Sequence, residues 1–78
     1  MYVRKRKGDK KMKLRRVFLV YDDNHGLVGV YANEQSAKSV VESISVEYYD
    51  MKTEDEIWSA DYKNGNEFVY YSEEEVQW

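Results

Sequence analysis

The chain has 78 residues, no cysteine and a single histidine. A single small domain is expected at this length, and the counts exclude a disulfide framework and a thiolate or multi-histidine metal site within these residues. A chain this short buries only about 60% of its unfolded surface, and 35% charged residues with a mean hydropathy of −0.85 favour water. No run approaches the roughly 18 apolar residues of a membrane span, and no signal-peptide pattern opens the sequence, so the expected compartment is the cytoplasm.

The formal charge of −3 hides two opposed blocks. Residues 1–16 carry nine cations (Arg4, Lys5, Arg6, Lys7, Lys10, Lys11, Lys13, Arg15 and Arg16) against one anion, Asp9. Residues 17–78 carry three cations and fourteen carboxylates. The expected organisation is a basic arm over residues 1–15 and one acidic α+β domain over 16–78. Met12 also reads as a natural start just ahead of a strand, and from there the chain still holds fourteen anions against six cations.

Val17-Phe18-Leu19-Val20-Tyr21 is β-branched and aromatic and predicts a buried strand. Asp22-Asp23-Asn24-His25-Gly26 is turn chemistry, and Leu27-Val28-Gly29-Val30-Tyr31 predicts the second strand of a hairpin. Gly29 within that strand marks a bulge or a close backbone approach. Asn33 is a good N-cap, Glu34 suits the positive end of a helix dipole, and Ala37, Val40, Val41 and Ile44 form one apolar stripe. The predicted helix runs from about Glu34 to Ser45.

Beyond it, Glu54–Tyr62 reads as a third strand. Asn64-Gly65 reads as a type I′ turn leading to a fourth, since both residues tolerate positive φ. That register places Trp58 opposite Tyr71 and Ala60 opposite Val69. These four form the expected core face, with Phe68 and Tyr70 on the other side. The order is β-β-α-β-β, a four-stranded, mainly antiparallel sheet with one helix on a face. The uncovered face or a sheet edge is the expected place for a partner or for a homodimer contact.

Few residues suggest reaction chemistry. His25 is near Asp22 and Asp23 in sequence, and an acid–base role requires a cleft that holds it against a carboxylate. The plainer reading is a solvent-exposed turn histidine. Asp22 and Asn24 supply calcium-type oxygens, but the acidic residue closing a loop of about twelve residues is missing. Gly26 and Gly29 precede no Lys-Ser/Thr pair and open no phosphate-binding helix. A non-enzymatic protein without metal or cofactor is therefore expected.

The carboxylates are the stronger signal. Asp22 and Asp23, Glu47 and Asp50, Glu54 to Glu56 with Asp55 between them, and Glu73, Glu74 and Glu75 form clusters. Asp61 and Glu67 flank the Asn64-Gly65 turn. Residues two apart on a strand stand about 6.6 Å apart on one face, and duplex DNA carries one charge per roughly 1.7 Å of axis. Rows of carboxylates on strands and helix thus imitate a line of phosphates. The plainer reading is a solvated acidic surface, although self-repulsion at this density costs a small fold stability. Phe68 and Tyr70 are the expected apolar contacts beside the acids. The basic arm suggests phosphate gripping instead, but only Tyr2 among its residues is aromatic, which gives little to stack on bases.

The opening from Val17 to Tyr21, a polar turn, Leu27 to Tyr31, then Asn33-Glu34-Gln35-Ser36-Ala37 resembles small phage and bacterial proteins with a strand, a turn, a strand ending in Gly-Val-Tyr and a helix. In size and charge the whole chain resembles the small early proteins by which lytic phages take over a host. These include acidic inhibitors from Bacillus phages that cover the DNA-binding surface of the histone-like nucleoid protein HU. The resemblance implies a DNA mimic that binds a basic, HU-like host protein in the host cytoplasm or nucleoid, with no direct nucleic-acid or membrane contact by the acidic body. The alternative is a nucleic-acid or regulatory binding module that works through the basic arm.

Overall fold

The computed structural model describes residues 14–77, so the basic arm expected over 1–15 lies outside the described residues as far as Lys13. The elements in order are β1 (Leu14–Asp22), β2 (Gly26–Tyr31), α1 (Glu34–Tyr49), α2 (Glu54–Ile57) and β3 (Val69–Gln77). The strands form one antiparallel sheet in the order β2-β1-β3, making a small α+β fold. After the β1–β2 hairpin, α1 carries the chain across to the far side of β1, where β3 joins.

The expected four-stranded sheet is therefore corrected to three strands. Glu54–Tyr62 is not a strand: it opens with the single helical turn α2 and continues in turns. The physical reason is a capping box at Thr53. Its hydroxyl accepts the Glu56 amide at 3.2 Å, and Glu56 Oε1 accepts the Thr53 amide at 3.0 Å. This reciprocal pair satisfies donors that a helix start leaves orphaned. Three consecutive acids suit the first turn of a helix better than an alternating strand.

The β1–β2 hairpin forms as its sequence predicts. Asp22 pairs with Gly26 around a three-residue loop, and Gly26 takes the positive φ of 76° that closes such loops. The ladder shifts register between Val20 and Tyr21, opposite Gly29 and Leu27, which is the predicted bulge.

Asn33 caps α1 by accepting the Ser36 amide at 2.8 Å. The helix outruns its predicted end at Ser45 and stops at Tyr49, where Asp50 turns left-handed at φ 57°. The additional turn is held from outside, since the Tyr49 ring stacks on Phe68 at 4.8 Å between centroids.

Phe18, Val20 and Asp22 share one face of β1 with their β3 partners Glu73, Tyr71 and Val69. Ala37 and Val41 close over this face, and Ile57 completes the buried core. Each fully buried valine or phenylalanine contributes about 1.5–3 kcal/mol of transfer free energy. Val69 and Tyr71 thus take their expected core places. Trp58 is only half-buried at the margin and Ala60 is exposed, because neither lies on a strand.

The opposite face carries Val17, Leu19 and Tyr21 of β1 between Val30 and Tyr70. No described element covers it: Leu27 is 53%, Val30 55% and Tyr70 41% exposed.

Candidate acidic interface

Six of the twelve predicted contact acids lie in the irregular segment 50–68. Asn64 and Gly65 do take positive φ, 63° and 153°, but they do not form the turn of a strand hairpin. The chain reverses two residues later. The Asn66 amide donates to the Val69 carbonyl at 2.8 Å, and the Tyr71 amide donates to the Asn64 carbonyl at 3.1 Å. The turn is therefore centred on Glu67-Phe68.

Asn66 is the residue that sequence reasoning missed. It is buried, and its Oδ1 accepts the Phe68 and Val69 amides at 2.9 Å each. Its Nδ2 donates to Ser45 Oγ and to the Ile57 carbonyl at 3.0 Å each. One side chain thus ties α1, α2 and the entry to β3. The signal available in the sequence was an asparagine two and three residues ahead of the amides it binds, the usual geometry of a side-chain turn.

The acids of this segment fall into distinct environments. Glu56 is occupied by the Lys52 and Thr53 amides, which hold its carboxyl below the usual range. Asp50 pairs with Lys52 Nζ at 2.8 Å. Asp55, Asp61 and Glu67 are exposed around one hollow, which Tyr49, Met51, Tyr62 and Phe68 also line and which no lysine or arginine among the described residues lines. Glu54 lies across the Ser59–Tyr62 ridge in a second groove between α1 and the 58–65 turns, with Glu34, Lys38 and Glu42 on its helix wall.

The remaining predicted acids do not join this surface. Asp22 is corrected from an exposed contact to a buried structural carboxylate, 4% exposed. Tyr49 Oη donates to its Oδ1 at 2.5 Å, the Asn24 amide donates to the same oxygen at 2.8 Å, and His25 Nδ1 lies 3.1 Å from Oδ2. Burial is the largest single influence and pushes this carboxyl up. The hydrogen bonds from Tyr49, Asn24 and His25 together outweigh it and leave the group below its ordinary value. The hairpin turn is thereby latched to the end of α1.

Asp23 is exposed at the same turn, and Glu47 points outward from α1. Glu73 and Glu75 flank Arg16 at 3.0 and 3.8 Å, while Glu74 lies on the other face of β3. Carboxylate rows along a strand from Glu54 to Tyr62 do not exist, since that strand does not form. The acids instead cluster on turns.

Phe68 is also corrected. It precedes β3, escapes the strand alternation and packs half-buried on Tyr49. Tyr70 does stand on the uncovered face, stacked on Tyr21 at 5.4 Å.

His25 and Asp22 meet, but the slot beside them is walled by Val28, Val40, Ile44 and Tyr48 and supplies no nucleophile or second acid. Among the described residues no three histidine or acidic side chains gather at metal-binding distance, and no helix is long and apolar enough to cross a membrane. Comparison with protein-family models, with curated proteins and with solved structures gives no match.

Proposed function

We propose that the chain is a non-enzymatic binding protein whose acidic side occupies the basic, DNA-binding surface of a partner. A histone-like nucleoid protein of a phage-infected bacterium is the first candidate, which places the action in the host cytoplasm or nucleoid. The observation that carries this reading is the hollow bearing Asp55, Asp61 and Glu67, whose lining holds no cation among the described residues. Carboxylates used only for folding are bonded, as Asp22 and Glu56 are. These three have no bonded side-chain oxygen among the described residues and line one hollow, where like charges repel one another. A cationic surface that replaces DNA phosphates with these acids relieves that repulsion on binding.

The test is binding of the full chain to purified HU, measured by calorimetry at several salt concentrations with duplex DNA as competitor. Exposed charges are screened over about 10 Å at 0.1 M salt and about 3 Å at 1 M, so affinity falls steeply with salt and DNA displaces the chain. Changing Asp55→Asn, Asp61→Asn and Glu67→Gln together lowers affinity by at least about tenfold, through loss of charge-assisted contacts. Binding that is indifferent both to salt and to this triple change rules the mechanism out.

A further inference from the structure

We infer that the groove between α1 and the 58–65 turns is an arginine-receiving slot. One guanidinium of the basic partner lies there against Trp58 and Tyr62 while Glu34 and Glu54 accept its N–H groups. This rests on the proposed function and deepens it, because it names the group of the partner that is read.

The walls have the chemistry for it. Glu34 and Lys38 stand one helical turn apart on α1, Glu54 comes from α2, and Trp58, Tyr62 and Tyr71 supply aromatic surface. The Tyr71 ring is fixed in the core, edge-on to Phe18 at 6.0 Å. Its hydroxyl donates to Glu34 Oε2 at 2.5 Å, so a buried anchor sets the position of an exposed carboxylate. Burial first, and then this carboxylate, raise the Tyr71 phenol above its ordinary range and keep it a donor.

No described donor reaches Glu34 Oε1 or the Glu54 carboxylate, and Lys38 forms no ion pair with either. One anchored carboxylate and a second unbonded one beside an indole favour a cation with a face. A guanidinium is planar, weakly hydrated and stacks on aromatic rings, whereas an ammonium is a strongly hydrated point charge. Phosphate-bearing ligands are repelled by the same carboxylates.

The experiment uses the full chain carrying Trp78→Phe, which leaves Trp58 as the single indole. End-blocked peptides of three arginines or three lysines are titrated while Trp58 emission is followed. The arginine peptide shifts the emission saturably and binds about 3- to 10-fold more tightly than the lysine peptide. Glu54→Gln and Glu34→Gln each weaken it about 3- to 10-fold. The amide introduced by Glu34→Gln still offers Tyr71 an acceptor, and Glu54 is exposed, so neither change threatens the fold. Equal affinity for both peptides, or undiminished affinity in Glu54→Gln, overturns the slot.

A full chain with Arg4→Gln, Lys5→Gln, Arg6→Gln and Lys7→Gln tests the other occupant. If its Trp58 emission moves before any peptide is added, the chain's own basic segment fills the groove and the assignment to a partner falls. The two readings also separate. If HU binding is lost in the Asp55, Asp61 and Glu67 variant but kept in the slot variants, the slot fails and the function stands. If the arginine peptide saturates the slot while HU does not bind, the function fails and the slot stands.

Discussion

From Leu14 to Tyr49 the backbone satisfies itself through the β1–β2 ladder, the β1–β3 ladder and one capped helix. Its stability comes from apolar burial, with Val20 and Val41 wholly inaccessible. From Asp50 to Phe68 no ladder forms: the backbone is held by short turn and cap bonds between main-chain groups, reinforced by the side chains of Thr53, Glu56 and Asn66, and Ile57 is the only buried apolar side chain. That second region holds six carboxylates against two lysines. A segment so acidic cannot offer alternating apolar residues to a sheet. Turn and cap bonds to its own backbone fix its shape and leave Asp55, Asp61 and Glu67 exposed. The scaffold should therefore depend on few polar groups, chiefly the sealed Asp22, whereas the acidic segment should depend most on Asn66 and on the bare backbone at Gly65.

The most damaging test of that contrast is Gly65→Ala. An added Cβ meets the Val69 carbonyl oxygen at 2.3 Å and Tyr70 Cα at 2.6 Å, backbone that cannot swing aside, and the position has φ 153°. The expected loss is on the order of 4 kcal/mol, comparable with the whole stability of a domain this small. Circular dichroism and urea titration should show a largely unfolded chain.

Asn66→Ala comes next. It strands two amides, a carbonyl and the Ser45 hydroxyl in the interior, which costs about 3 kcal/mol after partial relaxation. Both changes should leave any residual structure in the β1–β2–α1 half, visible as protected amides in hydrogen exchange. Uniform loss of protection would show that the two regions fold as one unit.

The same contrast explains what the sequence made legible. Val17–Tyr21, the Gly29 bulge and the Ala37–Ile44 stripe announce themselves because period 2 and period 3.6 reflect which side faces the core. Thr53-Glu54-Asp55-Glu56 also carries a readable sign, a threonine three residues ahead of a glutamate. It is overlooked when Trp58, Ala60 and Tyr62 are counted as one strand face. Asn64-Gly65 takes positive φ but not the type I′ turn expected of it, because positive φ does not fix where a chain reverses. That depends on Asn66 reaching Ser45, 21 residues earlier, a tertiary fact with no local pattern. The sealing of Asp22 is hidden for the same reason, since its Tyr49 partner lies 27 residues away.

Asp22 offers a test by pH as well as by mutation. Its carboxyl titrates lower in the folded chain than its ordinary value of about 3.9. The stability it supplies is therefore complete above that ordinary value and is lost as pH falls through it toward the folded pKa. Asp22→Asn keeps the shape but removes the charge from the bonds to Tyr49 and the Asn24 amide, at a cost of about 2 kcal/mol at neutral pH. The gap between parent and variant in urea midpoint should close as the solution is taken below about pH 4. A gap that stays constant with pH would show that the charge of Asp22 contributes nothing. Tyr49→Phe, which retains the stack on Phe68, should produce a smaller loss, about 1 kcal/mol.

The smallest expected effect on folding is the most informative about function. Thr53→Ala removes one half of the α2 capping box and should cost about 1 kcal/mol. The triple change Asp55→Asn, Asp61→Asn and Glu67→Gln should cost nothing and raise the thermal midpoint slightly, because it removes like charges that accept no bonds within the described fold. The two sets should then dissociate in opposite directions. Thr53→Ala weakens folding but binds a basic partner normally once folded, while the triple variant folds at least as well and binds poorly. Should the triple variant lose stability instead, the three acids would be serving the fold through contacts of their own, and their crowding would no longer argue for a partner.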